Sequence, residues 1–478
     1  MRGAIAAGHP LTVEVGAKVL AAGGNAVDAC VAAGFASWVA ESPLTGAGGG
    51  GFMLVHRHDD RSTRVLDFFV AVPERTSRRE MESIDIDFSG GDHQVFQIGP
   101  ASAAVPGTLA GLEEAHRRFG SLPWAELVAP AVSLARGGVE LTRPQAYLHA
   151  ILDLILRHTD EGRAVYGRED RLVAGDVLVQ EDLASTLELI ARRGAGALYG
   201  GELGRAVISH LGGQLARRDL ESYRVVRRRP VRAPYAGHEF QSNPPPSSGG
   251  VLIAWGLERL PPRPSLSEIA EVMRGQAALR DRAFVRALWR GGLARRLEIS
   301  SSTTHISVVD GQRNAAAMTC STGAGSGVIV PGTGIQLNNM LGEFDLAKPA
   351  RPGERLSSMM CPAIVVGAAG PRLVVGSAGS LRLRGAVMQV VVNVVGRGLR
   401  AEEAIDAPRI HWEEPALHCE GGHEEAELDR LEAAGWDVVR WKRRNLYFGG
   451  AQAVEMLADG ELHAAGDPRR GGAGVVVE

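Results

Sequence analysis

Few residues in this sequence have a type and spacing that could do chemistry. Ser302-Thr303-Thr304-His305 sets three hydroxyls and an imidazole ahead of the apolar run Ile306-Ser307-Val308-Val309-Asp310. A threonine hydroxyl is a poor nucleophile unless a base lies within hydrogen-bond reach, so on spacing alone Thr303 and Thr304 read first as β-branched strand residues. The run Gly46-Ala47-Gly48-Gly49-Gly50-Gly51 invites comparison with a phosphate loop. No Lys-Ser/Thr follows it, however, and it enters a strand rather than leaving one for a helix. His411, His418 and His423 fall in a charged C-terminal stretch that reads as an exposed loop without metal-ligand spacing. Cys30, Cys320, Cys361 and Cys419 form no CxxC pair, so neither a zinc site nor a disulfide framework is expected, and a reducing compartment is. No metal and no redox or nucleotide cofactor is implied.

The elements around these residues follow from hydrophobic period and punctuation. Residues 11–41 read as two short helices broken at Gly23-Gly24-Asn25. Residues 51–55 and 64–69 read as antiparallel strands, and residues 305–310 and 314–320 as a hairpin of small residues. Helical periodicity runs through residues 108–160 and 180–215, with Leu109, Leu112, Ala115 and His116 on one face and Leu183, Leu187, Leu189 and Ile190 on another. Asn243-Pro244-Pro245-Pro246-Ser247-Ser248-Gly249-Gly250 excludes helix and central strand, and a helix is expected over 251–260. Strands at 363–366 and 372–376 precede a turn at 377–380 and a helix over 384–395. Two groups of strands with helices before, between and after them predict two sheets sandwiched by helices.

Composition limits the function classes. Lys+Arg 52 against Asp+Glu 55 gives a net charge of −3, no basis for nucleic-acid binding. The arginines at 224–232 and 274–296 therefore read as solvated faces or intersubunit ion pairs. Before Glu14 and Lys18 the N-terminus has no uninterrupted apolar stretch, and no window reaches the roughly eighteen apolar residues needed to cross a bilayer. A cytoplasmic protein without membrane contact is expected. Glycine is the outlier, 61 of 478 residues, about twice the ordinary ~7%.

In order along the chain, Gly23-Gly24-Asn25-Ala26-Val27-Asp28-Ala29, the glycine strand from Gly46 to Leu54, Val105-Pro106-Gly107-Thr108, Pro244 to Gly250, Thr303-Thr304-His305, Leu337-Asn338-Asn339, Leu356-Ser357-Ser358-Met359, Gly376 to Arg382 and Ala407-Pro408-Arg409 resemble the γ-glutamyltransferases. These enzymes, also called glutathione hydrolases, belong to the N-terminal nucleophile (Ntn) hydrolases. The resemblance spans almost the whole chain and implies an α+β fold, a four-layer αββα sandwich. It also implies a precursor that cleaves its own Ser302-Thr303 bond, giving a large segment 1–302 and a small segment 303–478 that together form one domain and act as a heterodimer, with further dimerisation left open. Thr303 would then carry nucleophile and base together, because a free α-amino group has a pKa near 8. By the same resemblance Ser321 would orient the Thr303 hydroxyl, Gly379 and Ser380 would supply oxyanion-hole N–H groups, and Glu343, Ser357 and Ser358 would contact substrate. The bland readings are a hairpin serine, a strand-to-helix turn and turn caps.

Where the sequence departs from the family, it does so at substrate contacts. Phe69 stands at the place of the arginine that clamps the γ-glutamyl carboxylate, Gly323 at that of an asparagine, and Met340 at that of a glutamine. Losing three polar contacts while keeping the nucleophile and the oxyanion turn implies intact chemistry aimed at a different amide-linked acyl group. Candidates are an acyl amide such as related acylases remove from β-lactams, another modified substrate, or a biosynthetic intermediate; γ-glutamyl itself stays open, since Arg64, Arg355 or Arg382 could supply a replacement cation. Only residues 344–356 fill the interval where many members carry a lid, so an open, water-accessible site is expected, in which hydrolysis outruns transfer. The contrasting reading is an unprocessed, inactive member serving as a scaffold.

Overall fold

Alternate residues of the central strands are buried in two different places. Ile306, Val308, Ala316 and Met318 pack with the first helices of the chain, whereas Val309, Ala315 and Ala317 pack against Ile364, Val374 and Val454 of another sheet. With a side-chain period of two, this requires a sheet covered on both faces.

The computed structural model describes residues 2–74, 80–87, 93–279, 303–343, 351–379 and 382–478. The first sheet has seven antiparallel strands in the order Ala473–Val477, Gly3–Ala7, Thr304–Asp310, Ala315–Ser321, Gly50–Arg57, Ser62–Phe68 and Val226–Arg228. The second has six, in the order Leu462–Gly466, Gly450–Met456, Gly370–Ala378, Ala363–Gly367, His238–Ser242 and Val231–Tyr235. Both therefore mix strands from before residue 302 with strands from after it.

The layer between the sheets is made of small and β-branched residues, which lets the backbones stack closely. Helices Pro10–Ala21, Ala26–Ala40 and Thr108–Phe119 cover the first sheet, with Trp124–Gly137 and Glu181–Arg193 packed outside them, and Gly249–Leu257 and Arg382–Val391 cover the second, with Leu266–Leu279 against the former. The result is a four-layer αββα sandwich, as the resemblance implied. Among the described residues no helix is long and apolar enough to cross a membrane.

Most sequence-predicted elements are present with shifted ends. The helix expected over 251–260 is Gly249–Leu257, and that expected over 384–395 starts at Arg382 and ends in a wider turn, Val392–Gly396. The strands Gly3–Ala7 and Gly450–Met456 had no period-two signal, because strands buried on both faces do not alternate, and the edge strands Leu462–Gly466 and Ala473–Val477 were not read either. The exposed loop expected around the histidines is wrong. His411 lies in the strand Ile410–Glu413 and is 5% exposed, and His418 lies in the neighbouring strand Ala416–Cys419. Tyr447 packs against both rings and Trp441 against His418, so aromatic packing outweighs the local charge. Of the arginines at 224–232, Arg228 pairs within the chain with Asp67 at 2.8 Å. Residues 280–296 of the other group lie outside the described residues.

Candidate active site

Thr303 leads directly into the strand Thr304–Asp310 and is fully buried, with an Oγ1 that has no hydrogen-bond partner among the described residues. An unsatisfied buried hydroxyl is costly and calls for an explanation. The neighbouring strands arrange what surrounds it. Thr304 pairs with Cys320, which puts Thr303 and Ser321 at the next position of that ladder, while Ser321 pairs with Gly50 and Gly51 with Phe68. On the other side Ala7 pairs with Ile306. One end of the sheet thus presents Thr303, Ser321, Gly50 and Phe69 in lateral order, about 4.8 Å per strand, while on the other side Gly8 falls opposite His305.

Ser321 does not hydrogen-bond the nucleophile here; its Oγ accepts from the Gly323 N–H at 2.8 Å. Gly323 has φ +72°, and a Cβ there would lie 2.0 Å from Asn339 Oδ1 and 2.9 Å from Glu343 Oε1. The asparagine of the family therefore has no room in this chain, since the Asn339 side chain fills the space and accepts from the Ala324 N–H at 3.0 Å. Asn338 donates to the carbonyls of Gly48 (2.7 Å) and Ala104 (3.0 Å), tying the glycine run to the turn before Glu343. Close approach accounts for the run itself: Cβ atoms on Gly48 and Gly49 would meet the carbonyl oxygens of Gln336 and Ser321 at 2.1 and 2.4 Å.

Gly379 ends the strand Gly370–Ala378 with φ +126°, a conformation only glycine adopts readily, and its carbonyl accepts from Arg382 N at the start of the next helix. A strand before it and a helix after it are common to both readings of this segment; Ser380, like Ser302, lies outside the described residues. Across the sheets His305 fills the space above Gly376, where a Cβ would lie 2.2 Å from its Nδ1. It bonds Thr319 (2.7 Å) and Ser307 (2.9 Å), and burial pushes its pKa down to about 3, so it is a neutral packing group.

The substituted positions form one apolar body. Phe69 and Met340 pack with Phe52, Leu341, Leu356 and Met360, and the Phe69 ring stacks on Phe52 at 5.5 Å. Both are about 1% exposed. Ser357 and Ser358 follow Leu356 directly, and the Ser358 carbonyl accepts from Ser247 Oγ (2.7 Å) and Ser248 N (2.8 Å) of the proline-rich turn.

None of the three candidate cations replaces the missing arginine at the Phe69 position. Arg355 sits over the Tyr223 ring at 4.2 Å, donates to the Arg224 carbonyl and faces Asp67 at 3.6 Å. Arg382 sits over Tyr447 at 3.7 Å and pairs with Glu413 at 3.2 Å. Arg64 bonds the Thr63 carbonyl and pairs with Val55, toward the far end of its strand. Nor are the expected substrate contacts open to water in the uncleaved chain: Glu343, Ser357 and Ser358 are 2%, 5% and 3% exposed. Residues 344–350 of the interval lie outside the described residues.

Sequence reasoning missed two charged residues beside Thr303. Glu41, 4% exposed, accepts from the Thr12 hydroxyl at 2.9 Å and from the Thr304 hydroxyl, and burial raises its carboxyl pKa to about 7. Its signal was present, since it ends the helix Ala26–Ala40, in which Asp28 is the single charge. Arg470 lies near Gly379, whose Cβ position is 3.8 Å from its Nη2, and burial lowers its pKa to about 10. As the second of two adjacent arginines near the C-terminus it carried no pattern. Among the described residues no group of three or more His, Cys, Asp or Glu could hold a metal.

Two stacked antiparallel sheets between helix layers, with a buried threonine heading a central strand, define an Ntn-hydrolase fold. The same fold is seen in the cephalosporin acylase of Bacillus halodurans, with a TM-score of 0.85 at 24% identity over 100% of this chain and 96% of that one. The gamma-glutamyltranspeptidase family model matches residues 12–269 and 265–477. The chain is 32% identical to the glutathione hydrolase proenzyme of Escherichia coli (strain K12), over 98% of this chain and 90% of that protein. It is 33% identical to the acylase ACY 1 proenzyme of Pseudomonas sp. (strain SE83), over 100% and 94%. The chain belongs to the gamma-glutamyltranspeptidase family, an enzyme family that includes glutathione hydrolases and acylases.

Proposed function

We propose that the chain is a self-processing acylase that hydrolyses an amide whose acyl group is more apolar than γ-glutamyl. The observation that carries this reading is the continuous apolar body of Phe69, Met340, Phe52, Leu341, Leu356 and Met360, at the positions where the family resemblance implies an arginine and a glutamine. A carboxylate brought there would lose its hydration and find no counter-ion, whereas an aliphatic or aromatic acyl chain gains by burial.

Cleavage of the Ser302-Thr303 bond frees the Thr303 α-amino group as the base next to the buried hydroxyl. The amine takes the Oγ1 proton while Oγ1 bonds the acyl carbon. The carbonyl oxygen, negative in the tetrahedral intermediate, is placed by Gly379 and Ser380 N–H groups, and Ser321 steadies the hydroxyl. The C–N bond then breaks, with the proton passing to the leaving amine. Water, activated by the same amino group, cleaves the ester and returns Thr303. The names of the two relatives support this reading in different ways, glutathione hydrolase for the mechanism and acylase for the substrate.

The test is intact mass together with a panel of anilides that differ only in the acyl group. Wild type should yield fragments meeting at residues 302 and 303 and turn over apolar acyl anilides at least tenfold faster, in kcat/KM, than the γ-glutamyl anilide. Thr303→Ala should remain one chain of 50.6 kDa without turnover. A γ-glutamyl preference would overturn the substrate assignment, and normal maturation of Thr303→Ala would overturn the nucleophile.

A further inference from the structure

The lateral order at the end of the first sheet separates two sides of Thr303. On one side, beyond Ser321 and Gly50, lies the apolar body around Phe69. On the other, beyond Gly8, is a pocket lined by Gly8, Glu41, Tyr147, Leu446 and Arg470 among others. A Cβ built on Gly8 would be 2.3 Å from Glu41 Oε2 and 3.1 Å from Thr304 Oγ1, so the pocket reaches Thr304, the residue that follows the nucleophile.

Arg470 is the unbalanced group in that pocket. Its Nε and Nη1 are buried and have no hydrogen-bond partner, and no carboxylate lies within 4 Å of it, among the described residues. The acids nearby are already engaged. Asp467 pairs with Arg409 at 2.7 Å and Arg469 at 3.2 Å and accepts from the Ala451 N–H, while the Glu41 oxygens accept from Thr12 and Thr304. Arg469 is spent on Glu420 and Asp467, and Arg382 on Glu413. Buried cations are normally paired, so an unpaired fork facing a pocket marks a place for an anion.

We propose that this pocket binds a carboxylate on the departing amine half of the substrate, with Arg470 as its counter-ion. The proposal rests on the acylase reading above. When Thr303 Oγ1 attacks with the oxyanion at the Gly379 turn, the acyl and amine substituents of the reacting carbon must diverge. If the acyl chain takes the Phe69 side, the amine half enters the Gly8 side, where the guanidinium next to Gly379 meets a carboxylate a few bonds from the scissile nitrogen. Relative to the family pattern, the cation of the site has moved from the acyl side to the leaving-group side.

The test uses mature protein and two anilides with one acyl group, a 4-nitroanilide and its 3-carboxy-4-nitroanilide counterpart. Wild type should prefer the carboxylated compound, and Arg470→Gln should reduce that preference tenfold or more, mainly through KM. Arg470→Lys should recover part of it, since the charge returns without the fork. An unchanged preference in Arg470→Gln overturns the proposal. If wild type turns over neither anilide, the acylase reading fails by itself, and benzoate titrated calorimetrically into wild type and Arg470→Gln still decides the site. Saturable binding lost in the variant supports it, and equal or absent binding in both overturns it.

Discussion

Glu41 allows a stability prediction worked from the structure. Its carboxyl is buried against the hydroxyls of Thr12 and Thr304, and its pKa rises from 4.5 to about 7. Between these values the folded chain retains a proton that the unfolded chain releases, so stability falls as pH rises through the window and levels off above 7. At 1.36 kcal/mol per unit the full effect is about 3 kcal/mol. Glu41→Gln imitates the protonated acid, and because both threonine hydroxyls can rotate, the amide keeps a partner on each side. The variant should therefore match wild type near pH 4.5 and exceed its stability by up to about 3 kcal/mol at pH 8. Urea unfolding followed by fluorescence of the seven tryptophans gives this difference at each pH, and other titrating groups cancel in the comparison. A Glu41→Gln effect that is equal at the two pH values, or larger at the acidic one, would refute the placement of a neutral carboxyl beside Thr304.

Four further outcomes follow from packing and charge pairing. Phe69→Ala removes a buried ring stacked on Phe52 and should cost about 3–5 kcal/mol of unfolding free energy by urea titration. Phe69→Arg should be destabilised at least as much and gain no γ-glutamyl hydrolysis, because the neighbouring acid Asp67 is already paired with Arg228 and Arg355. Gly323→Asn should restore the family's residue type yet lower kcat/KM more than tenfold, since its Cβ would displace Asn339 and Glu343; an active variant would show that the turn can shift. Arg469→Ala leaves Glu420 buried without its guanidinium partner, while Asp467 keeps Arg409, and should lower stability by about 3–5 kcal/mol, read from the urea midpoint.

What was legible in the sequence follows from which physical signals are local. The helices Pro10–Ala21 and Ala26–Ala40 were readable because Gly23-Gly24-Asn25 stops one and caps the next, Asn25 and Asp28 forming a reciprocal capping box. The strand pair Gly50–Arg57 and Ser62–Phe68 was readable from β-branched and aromatic content. Gly3–Ala7 was not, since an alanine-rich strand covered on both faces resembles a helix fragment. At the site, Thr303, Gly379 and the substitutions at Phe69 and Met340 were found through resemblance. That Phe69 and Met340 share one apolar body depends on contacts between distant segments. Glu41 and Arg470 depend on such contacts too, since neither lies in a motif and both acquire their character from burial.

The order of strands in the first sheet bears on what happens to a chain once it is cut. Gly3–Ala7 is held between Thr304–Asp310 and Ala473–Val477, and in the second sheet Ala363–Gly367 is held between His238–Ser242 and Gly370–Ala378. Under the proposed cleavage the two fragments would share both sheets, so separating them would mean melting both sheets rather than opening an interface. Dilution should not dissociate them, and mixing two differently labelled batches of mature protein should give no hybrid molecules. Expressed as separate polypeptides, the halves would each lack neighbours for their central strands and would have to meet before either could fold. On this reading the Ser302-Thr303 peptide bond would serve assembly first and be expendable afterwards.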